Sequence, residues 1–205
     1  MSQIKSVVVF CGGSGGNKEI FTKEAYKMGQ LLADNNIKLI YGAGGEGMMR
    51  AVAEGALDAG GYVIGSTIQS LFAIERPDLA SRISKMEVFQ TMYERKLSMT
   101  KQADAIVVLP GGFGTMDELF ELFVLRQLGI SYQPIIILNT DEFYNTLHQW
   151  MLEMVGMGFA KPHQMKIIQF VNTAEEVIPA IREQKRILDE EKECAQKRKK
   201  RCRKS

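Results

Sequence analysis

The stretch that most constrains the fold of this chain is ADAIVVLPGGFGTMDELFELFVLRQ, residues 103–127. Ala105–Leu109 is a short apolar run with β-branched residues, which predicts one buried strand. Pro110 ends that strand because proline has no N–H to donate to a sheet. Glycines that let a ligand approach the backbone follow at Gly111, Gly112 and Gly114. Apolar residues then recur at helical spacing, so we predict a helix with Thr115 as its N-cap.

A glycine loop that opens onto a helix start presents free backbone N–H groups and the positive end of the helix dipole. The segment therefore predicts a site for an anion, most often phosphate. It is not a Walker A loop, because no Gly-Lys-Ser/Thr follows, and the earlier loop CGGSGGN at 11–17 lacks the G-x-G-x-x-G spacing of dinucleotide-binding proteins. The alternative is a tight turn without a ligand, and the local pattern leaves both open.

Strand patterns alternate with helical patterns along the whole chain, which predicts an α/β fold with a doubly wound parallel sheet. The predicted strands are Ser6–Phe10, Ile37–Tyr41, Tyr62–Ile64, Met86–Phe89, Ala105–Leu109, Pro134–Leu138 and Lys166–Phe170. Residues 66–84 are predicted to be an irregular, mobile loop. Glycine loops at 11–17 and 42–47 also follow strands, so they share the carboxyl edge of the sheet with 110–115. Ligands bind at that edge, and three such loops fit a nucleotide-sized ligand.

Length and charge divide the chain into one domain, predicted at 1–188, and a charged tail, predicted at 189–205. The formal net charge is +2, and the tail carries eight Lys/Arg against four Asp/Glu, so the first 188 residues carry −2. The domain is therefore not a basic nucleic-acid binder. The run KRKKRCRK at 197–204 is either a solvated terminus or a contact for nucleic acid or acidic lipid.

The cysteines and the apolar runs predict a cytoplasmic protein that does not enter a membrane. Cys11, Cys194 and Cys202 are odd in number and lack the spacing of metal ligands, which is typical of a reducing compartment. No apolar run reaches the length of a membrane helix, and no signal-peptide pattern is seen at the N-terminus.

Two charged groups are candidates for chemistry. Glu118 lies three residues after Thr115, so it is either a functional carboxylate or the acid of a capping box. Arg95 lies in Glu94-Arg95-Lys96, at the start of the helix that precedes the central strand. Such a triplet is either a solvated face or a source of one arginine that points over the ligand edge.

Four motifs together resemble the LOG family, the cytokinin riboside 5′-monophosphate phosphoribohydrolases. They are PGGFGTMDE at 110–118, TMYERKLSM at 91–99, CGGSGG at 11–16 and YGAGGEGMM at 41–49. The resemblance covers residues 5–180. It implies a Rossmann-like single domain, a homodimer, and an enzyme that cleaves the N-glycosidic bond of an adenosine-type 5′-monophosphate. The products would be the free base and ribose 5-phosphate.

The resemblance also implies the site residues, with Arg95 and Glu118 as the catalytic pair and no metal or cofactor. The implied substrate-binding residues are Ser14, Gly44, Gly45, Met92, Lys96, Gly111, Gly112, Gly114 and Thr115. An acid of the family before the E-R-K helix matches Glu75 or Asp78. Tyr93 replaces a histidine of the plant-type members, so the resemblance leaves the base open between adenine and an N6-modified adenine.

Two other functions are weighed against the hydrolase. A carrier module that binds a nucleotide or the molybdenum cofactor shares this kind of fold and needs no catalytic residues, whereas this chain has Arg95 and Glu118. A pyridoxal-phosphate lysine decarboxylase is disfavoured, because the chain is short for that class and lacks a Ser-x-His-Lys context for a Schiff base.

Overall fold

The computed structural model of the protein describes residues 3–72 and 77–202, with backbone only for 77–78 and 193–202. Within these ranges seven strands form one sheet in the order β4-β3-β2-β1-β5-β6-β7, and every neighbouring pair is parallel. The strands are β1 Ser6–Phe10, β2 Lys38–Tyr41, β3 Val63–Ile68, β4 Lys85–Phe89, β5 Ala105–Val108, β6 Ile135–Leu138 and β7 Ile168–Val171. The predicted single-domain α/β fold with a parallel sheet is confirmed.

Helices connect the strands and cover both faces of the sheet. They are α1 Glu19–Asp34, α2 Gly47–Asp58, α3 Gln69–Phe72, α4 Pro77–Ala80, α5 Met92–Gln102, α6 Phe113–Gln127, α7 Asn145–Gly156 and α8 Ala174–Cys202, with 3-10 turns at Thr140–Glu142 and Pro162–Ile167. In the described part of the chain, none of these helices combines the length and apolar composition that crossing a membrane requires.

The segment 66–84 differs from its prediction as an irregular loop. β3 continues to Ile68 because Thr67 and Ile68 pair with β4, and the short helices α3 and α4 follow. The last strand is also shifted: the 3-10 turn Pro162–Ile167 takes residues that were predicted as strand. Glu75 lies outside the described residues, as does the side chain of Asp78, so the predicted match to a family acid stays untested.

Each face of the sheet carries its own core, since side chains alternate along a strand. Val7, Val9, Leu39 and Val107 face α1, α2 and α8. The alternate strand positions face α5, α6 and α7, and they are filled by Val8, Phe10, Ile40, Ile106, Val108, Ile135 and Ile137. Strands that are buried on both faces explain the continuous apolar runs in the sequence.

The strand order reverses at β1, and this reversal positions the site. From β1 the chain moves outward through β2 and β3 to β4, and it then returns to place β5 on the other side of β1. The connections that leave β1 and β5 therefore lead to opposite faces of the sheet. The gap between them is the crevice where open parallel sheets bind ligands.

The predicted boundary between domain and tail at residue 188 stays a prediction, because α8 runs through it as one helix to Cys202. The side chains of the basic run at 197–204, and those of Cys194 and Cys202, lie outside the described residues. Cys11 is a free, buried thiol.

Candidate active site

The loops after β1 and β5 meet at the crevice and hold each other in place. The N–H of Gly12 donates to the carbonyl of Pro110 at 3.0 Å, and the buried hydroxyl of Tyr144 donates to the carbonyl of Leu109 at 2.7 Å. A Cβ at Gly111 would lie 2.2 Å from Thr115 Oγ1 and 2.8 Å from the Gly12 nitrogen. Packing between the two loops therefore requires glycine at position 111.

The predicted N-cap at Thr115 is wrong, because α6 begins earlier. Gly112 occupies the cap position with extended backbone and gives no side-chain cap, and Thr115 is a buried residue inside the first turn. Since a capping box joins the N-cap to the N3 residue, and Thr115 itself occupies N3, Glu118 lies three residues beyond the position that such a box requires. The alternative interpretation of Glu118 as the acid of that box is excluded by this geometry.

The start of α6 is open. A Cβ at Gly112 or Gly114 would meet no atom within 4 Å, and the Phe113 side chain is 97% exposed. Among the described residues, the amides of Phe113, Gly114 and Thr115 find no backbone acceptor. These are the unpaired N–H groups that make a helix start attractive to an anion.

A cavity of about 330 Å³ lies beside this helix start, between the two loops. It is lined by Gly12–Gly16 and Pro110–Gly112, together with Phe21, Met48 and Phe143. The structure thus brings the predicted binding residues Ser14, Gly111 and Gly112 to one cavity, which we call the glycine-loop cavity.

The glycine loop at 42–47 supports the first loop and does not line this cavity. The helix that follows it, α2, uses two N-terminal amides to bind the first loop. Met48 N donates to Ser14 O at 3.4 Å, and Met49 N donates to Gly12 O at 3.2 Å. Ala43 has a φ of 60°, in the left-handed region that favours glycine. The substrate contacts of Gly44 and Gly45 stay a prediction.

Arg95 is buried where β2 ends, beside the middle of β3. Its side chain is 6% exposed, Nε donates to Ser66 O at 2.8 Å, and Nη2 donates to Gly42 O at 3.2 Å. No carboxylate of the described residues pairs with it. A buried guanidinium whose hydrogen-bond partners are all neutral is an unneutralised positive charge, which favours an anionic partner.

A capping box fixes the start of α5 and with it the base of Arg95. Glu94 N donates to Thr91 Oγ1 at 3.2 Å, and Thr91 N donates to the Glu94 carboxylate at 3.1 Å. The motif Thr-x-x-Glu at 91–94 signals this box in the sequence, but the prediction assigned a box to 115–118 instead. Glu94 is therefore a structural residue. Arg95 is buried, so it does not belong to a solvated face of α5.

Glu118 lies one turn into α6 and is 9% exposed. Burial raises the pKa of its carboxyl from 4.5 to about 7, and the nearby charge of Arg95 opposes this rise. Burial raises the pKa of the Cys11 thiol, and the negative charge of Glu118 adds to this rise. A carboxyl with a pKa near neutrality can act as a base or an acid at physiological pH.

Glu118 lines a different cavity, of about 310 Å³, between α5 and α6, and it is not among the residues that line the glycine-loop cavity. Phe10, Leu97 and Leu122 form its apolar wall, and Lys96 lies at its edge. Lys96 Nζ is 2.9 Å from the Asp117 carboxylate and 2.5 Å from that of Glu121. The predicted contact of Lys96 with the nucleotide stays a prediction, and it requires Lys96 to exchange one of these pairs.

Met92 is a predicted substrate-binding residue whose role is not tested directly by its position. Met92 is half exposed, and its Sδ lies 3.6 Å from Arg95 Nη1, so it belongs to the surroundings of the guanidinium. In the part of the chain that the structure describes, no three His, Cys, Asp or Glu side chains gather as a metal site would require.

The raised pKa of Glu118 makes a prediction for stability. We compare the free energy of unfolding of Glu118→Gln with that of the wild type. The difference is expected to shift in favour of the variant by roughly 3 kcal/mol as the pH rises from 4 to 8. An acid whose pKa is higher in the folded state favours folding below its unfolded pKa, and this contribution is lost as the pH rises towards 7; glutamine does not titrate. Urea denaturation at several pH values measures the difference, and a pH-independent difference would contradict the assigned burial.

Comparisons with known proteins agree with this architecture. Residues 49–181 match the family model described as "Possible lysine decarboxylase". The chain is 34% identical over 189 residues to the cytokinin riboside 5′-monophosphate phosphoribohydrolase LOG7 of Arabidopsis thaliana, covering 92% of this chain and 86% of that protein. It is 35% identical over 182 residues to LOG3 of the same plant, covering 89% and 84%.

Solved structures share the fold at lower identity. The molybdenum cofactor binding protein of the phototrophic bacterium Rippkaea orientalis superposes with a TM-score of 0.67 at 21% identity, over 89% of this chain and 98% of that one. A likeness at that identity concerns the fold alone.

Proposed function

This chain belongs to the LOG family of phosphoribohydrolases, and from that membership we propose that it hydrolyses the N-glycosidic bond of a nucleoside 5′-monophosphate. The observation that carries the proposal is one juxtaposition. Gly112, at the cap position of α6, lines the glycine-loop cavity, and the buried carboxylate of Glu118 lies further along the same helix, at the cavity between α5 and α6.

The phosphate of the substrate would bind at the amides of 112–115, where no described backbone acceptor competes for them. Binding there fixes the ribose relative to a rigid helix. The entropy cost of orienting the anomeric carbon towards the carboxylate is then met by binding of the phosphate. Alanine at Gly112 or Gly114 would meet no protein atom, so the space beside them is available to a ligand.

In the reaction, the bond from C1′ to the base nitrogen breaks, a water oxygen forms the new bond to C1′, and one proton of that water is balanced by the proton that the base gains. Positive charge develops on the ribose as the base leaves, and an ionised carboxylate close to the sugar stabilises that charge or orients the water. Glu118 is assigned this role. Arg95 supplies the fixed positive charge, which neutralises phosphate or assists the departing base. The products are the free base and ribose 5-phosphate.

The proposed substrates are AMP and its N6-modified forms, since the relatives are named for cytokinin riboside 5′-monophosphates. Incubation with a panel of nucleoside 5′-monophosphates, followed by chromatography of the released base, tests this directly. The proposal expects release of the base from an adenine-type monophosphate and none from the matching nucleoside without phosphate. Binding of a monophosphate without release of base would favour the carrier alternative instead.

A homodimer is the proposed assembly, and an apolar stripe on α6 supports it. Phe113, Phe120 and Val124 follow one another at helical spacing, and Trp150 of α7 contacts Phe120 with ring centroids 6.1 Å apart. Phe113, Val124 and Trp150 are exposed in the single chain. Exposed aromatic side chains that cluster in this way are typical of a protein interface.

For this surface, light scattering is expected to give twice the mass of one chain for the wild type. Val124→Glu is expected to give a single chain, because it buries an unpaired charge in the interface. Ile20→Glu, at an exposed position of α1 on the opposite face of the sheet from α6, serves as the control and is expected to stay dimeric. A wild type that is monomeric throughout the concentration range would contradict the assembly.

A cytoplasmic location remains part of the proposal. It rests on the scattered cysteines, of which Cys11 is a free thiol.

A further inference from the structure

We propose that Gly42 is a positioning residue for the reaction, because the absence of a side chain there makes room for the guanidinium of Arg95. The inference rests on the proposed function in so far as Arg95 is a catalytic residue. Gly42 follows β2 directly, and its own carbonyl is one of the two acceptors that hold Arg95.

The space above Gly42 is occupied by the arginine. A Cβ at this position would lie 2.3 Å from Arg95 Nη2 and 3.5 Å from Cζ, and 3.0 Å from the sulfur of Met49. Gly42 is not among the glycines with positive φ, so its backbone conformation is open to alanine. Glycine at position 42 is therefore needed for the neighbouring side chain and not for the turn.

The guanidinium of Arg95 has more N–H donors than the acceptors that surround it. It has five N–H groups. One donates to Ser66 O, one to Gly42 O, and a third points to the sulfur of Met92 at 3.6 Å. The remaining donors find no acceptor among the described residues and are available to a substrate, in an orientation that the two carbonyls fix.

An added methyl group would change this orientation at little cost to the fold. The atoms it meets are the far ends of two flexible side chains, Arg95 and Met49, which can move aside. Movement of the guanidinium breaks its bond to the Gly42 carbonyl and turns the unused donors away from the substrate. Displacement of a catalytic group by about 1 Å costs about 10²-fold in rate.

A double-mutant cycle tests the inference on kcat/KM for the monophosphate that the wild type hydrolyses. Gly42→Ala is expected to lose about 10²-fold, with a melting temperature close to that of the wild type. In the Arg95→Ala background the same change is expected to cost nothing further, since the methyl group then has no guanidinium to displace. Gly156→Ala in α7, where a Cβ meets no atom within 4 Å, is the control for the change of residue type.

Losses that add up in the double variant would overturn the inference, because they would mean that Gly42 acts independently of Arg95. Unchanged kcat/KM in Gly42→Ala would overturn it as well.

A readout without substrate separates this inference from the proposed function. In ¹⁵N-edited spectra the Arg95 Nε–H, buried and bonded to Ser66 O, is expected to exchange slowly with water, and Gly42→Ala is expected to shift that signal or speed its exchange. An unchanged signal would overturn the positioning role. If the wild type released no base from any monophosphate while the signal still responded, the proposed function alone would fail.

Discussion

Glu118→Gln is expected to lower kcat for AMP hydrolysis about 10²–10⁴-fold while the protein remains folded. Glutamine keeps the size and polarity of the side chain but cannot carry the negative charge that stabilises a cationic ribose. Because Glu118 is buried inside a helix and makes no capping box, the substitution removes chemistry and little structure. Steady-state kinetics, with circular dichroism as the check of folding, measure the effect.

The pH profile sharpens this prediction. The mechanism uses the ionised carboxylate, and burial raises the pKa of Glu118 to about 7 in the free protein. We therefore expect kcat/KM of the wild type to rise as the pH passes through 7, and the residual activity of Glu118→Gln to lack that rise. Glu24→Gln is a matched control, since Glu24 is half-buried and accepts a bond from Ala174 N on the opposite face of the sheet. Unchanged turnover in Glu118→Gln would remove this carboxylate from the mechanism.

Arg95→Ala is expected to lower kcat/KM for AMP by about 10²–10³-fold, the loss that follows when a preorganised donor is removed from an active site. Arg95→Lys is expected to restore little of it. A lysine ammonium is a compact point charge, so it does not reproduce the planar fork that spans the carbonyls of Ser66 and Gly42.

The matched control for Arg95 is Arg82→Ala, which removes a guanidinium that is half exposed and paired with Asp58. Its kcat/KM is expected to equal that of the wild type, because an exposed ion pair contributes little. Wild-type kinetics in Arg95→Ala would show that the buried guanidinium serves the fold and not the reaction.

The sequence predicts the architecture well, because each part of it has a local signal. β-branched runs mark the strands, and glycines after them mark the ligand edge. The strand pattern also predicts which residues share a face. The order of the strands has no such local signal: that β5 lies beside β1 follows from packing of the whole sheet.

The wrong predictions in the candidate site also arise where long-range packing, and not a local sequence signal, determines the structure. Thr115 has the chemistry of an N-cap, but in the structure α6 begins at Phe113, and Thr115 is buried in its first turn, where it packs against Gly111. The surroundings of Arg95 cannot be predicted from sequence patterns, because its acceptors are backbone carbonyls 29 and 53 positions away. Backbone carbonyls look alike in a sequence, so only the fold identifies these two.

The central claim is that a phosphorylated ribose binds at the open amides of α6 with its anomeric carbon towards residue 118. A crystal structure of the Glu118→Gln variant with AMP tests it most directly. The account predicts phosphate oxygens within hydrogen-bond distance of the amides of 112–115, and C1′ facing the side chain of Gln at position 118. AMP bound elsewhere, or bound with its base at those amides and its phosphate in solvent, would contradict the account.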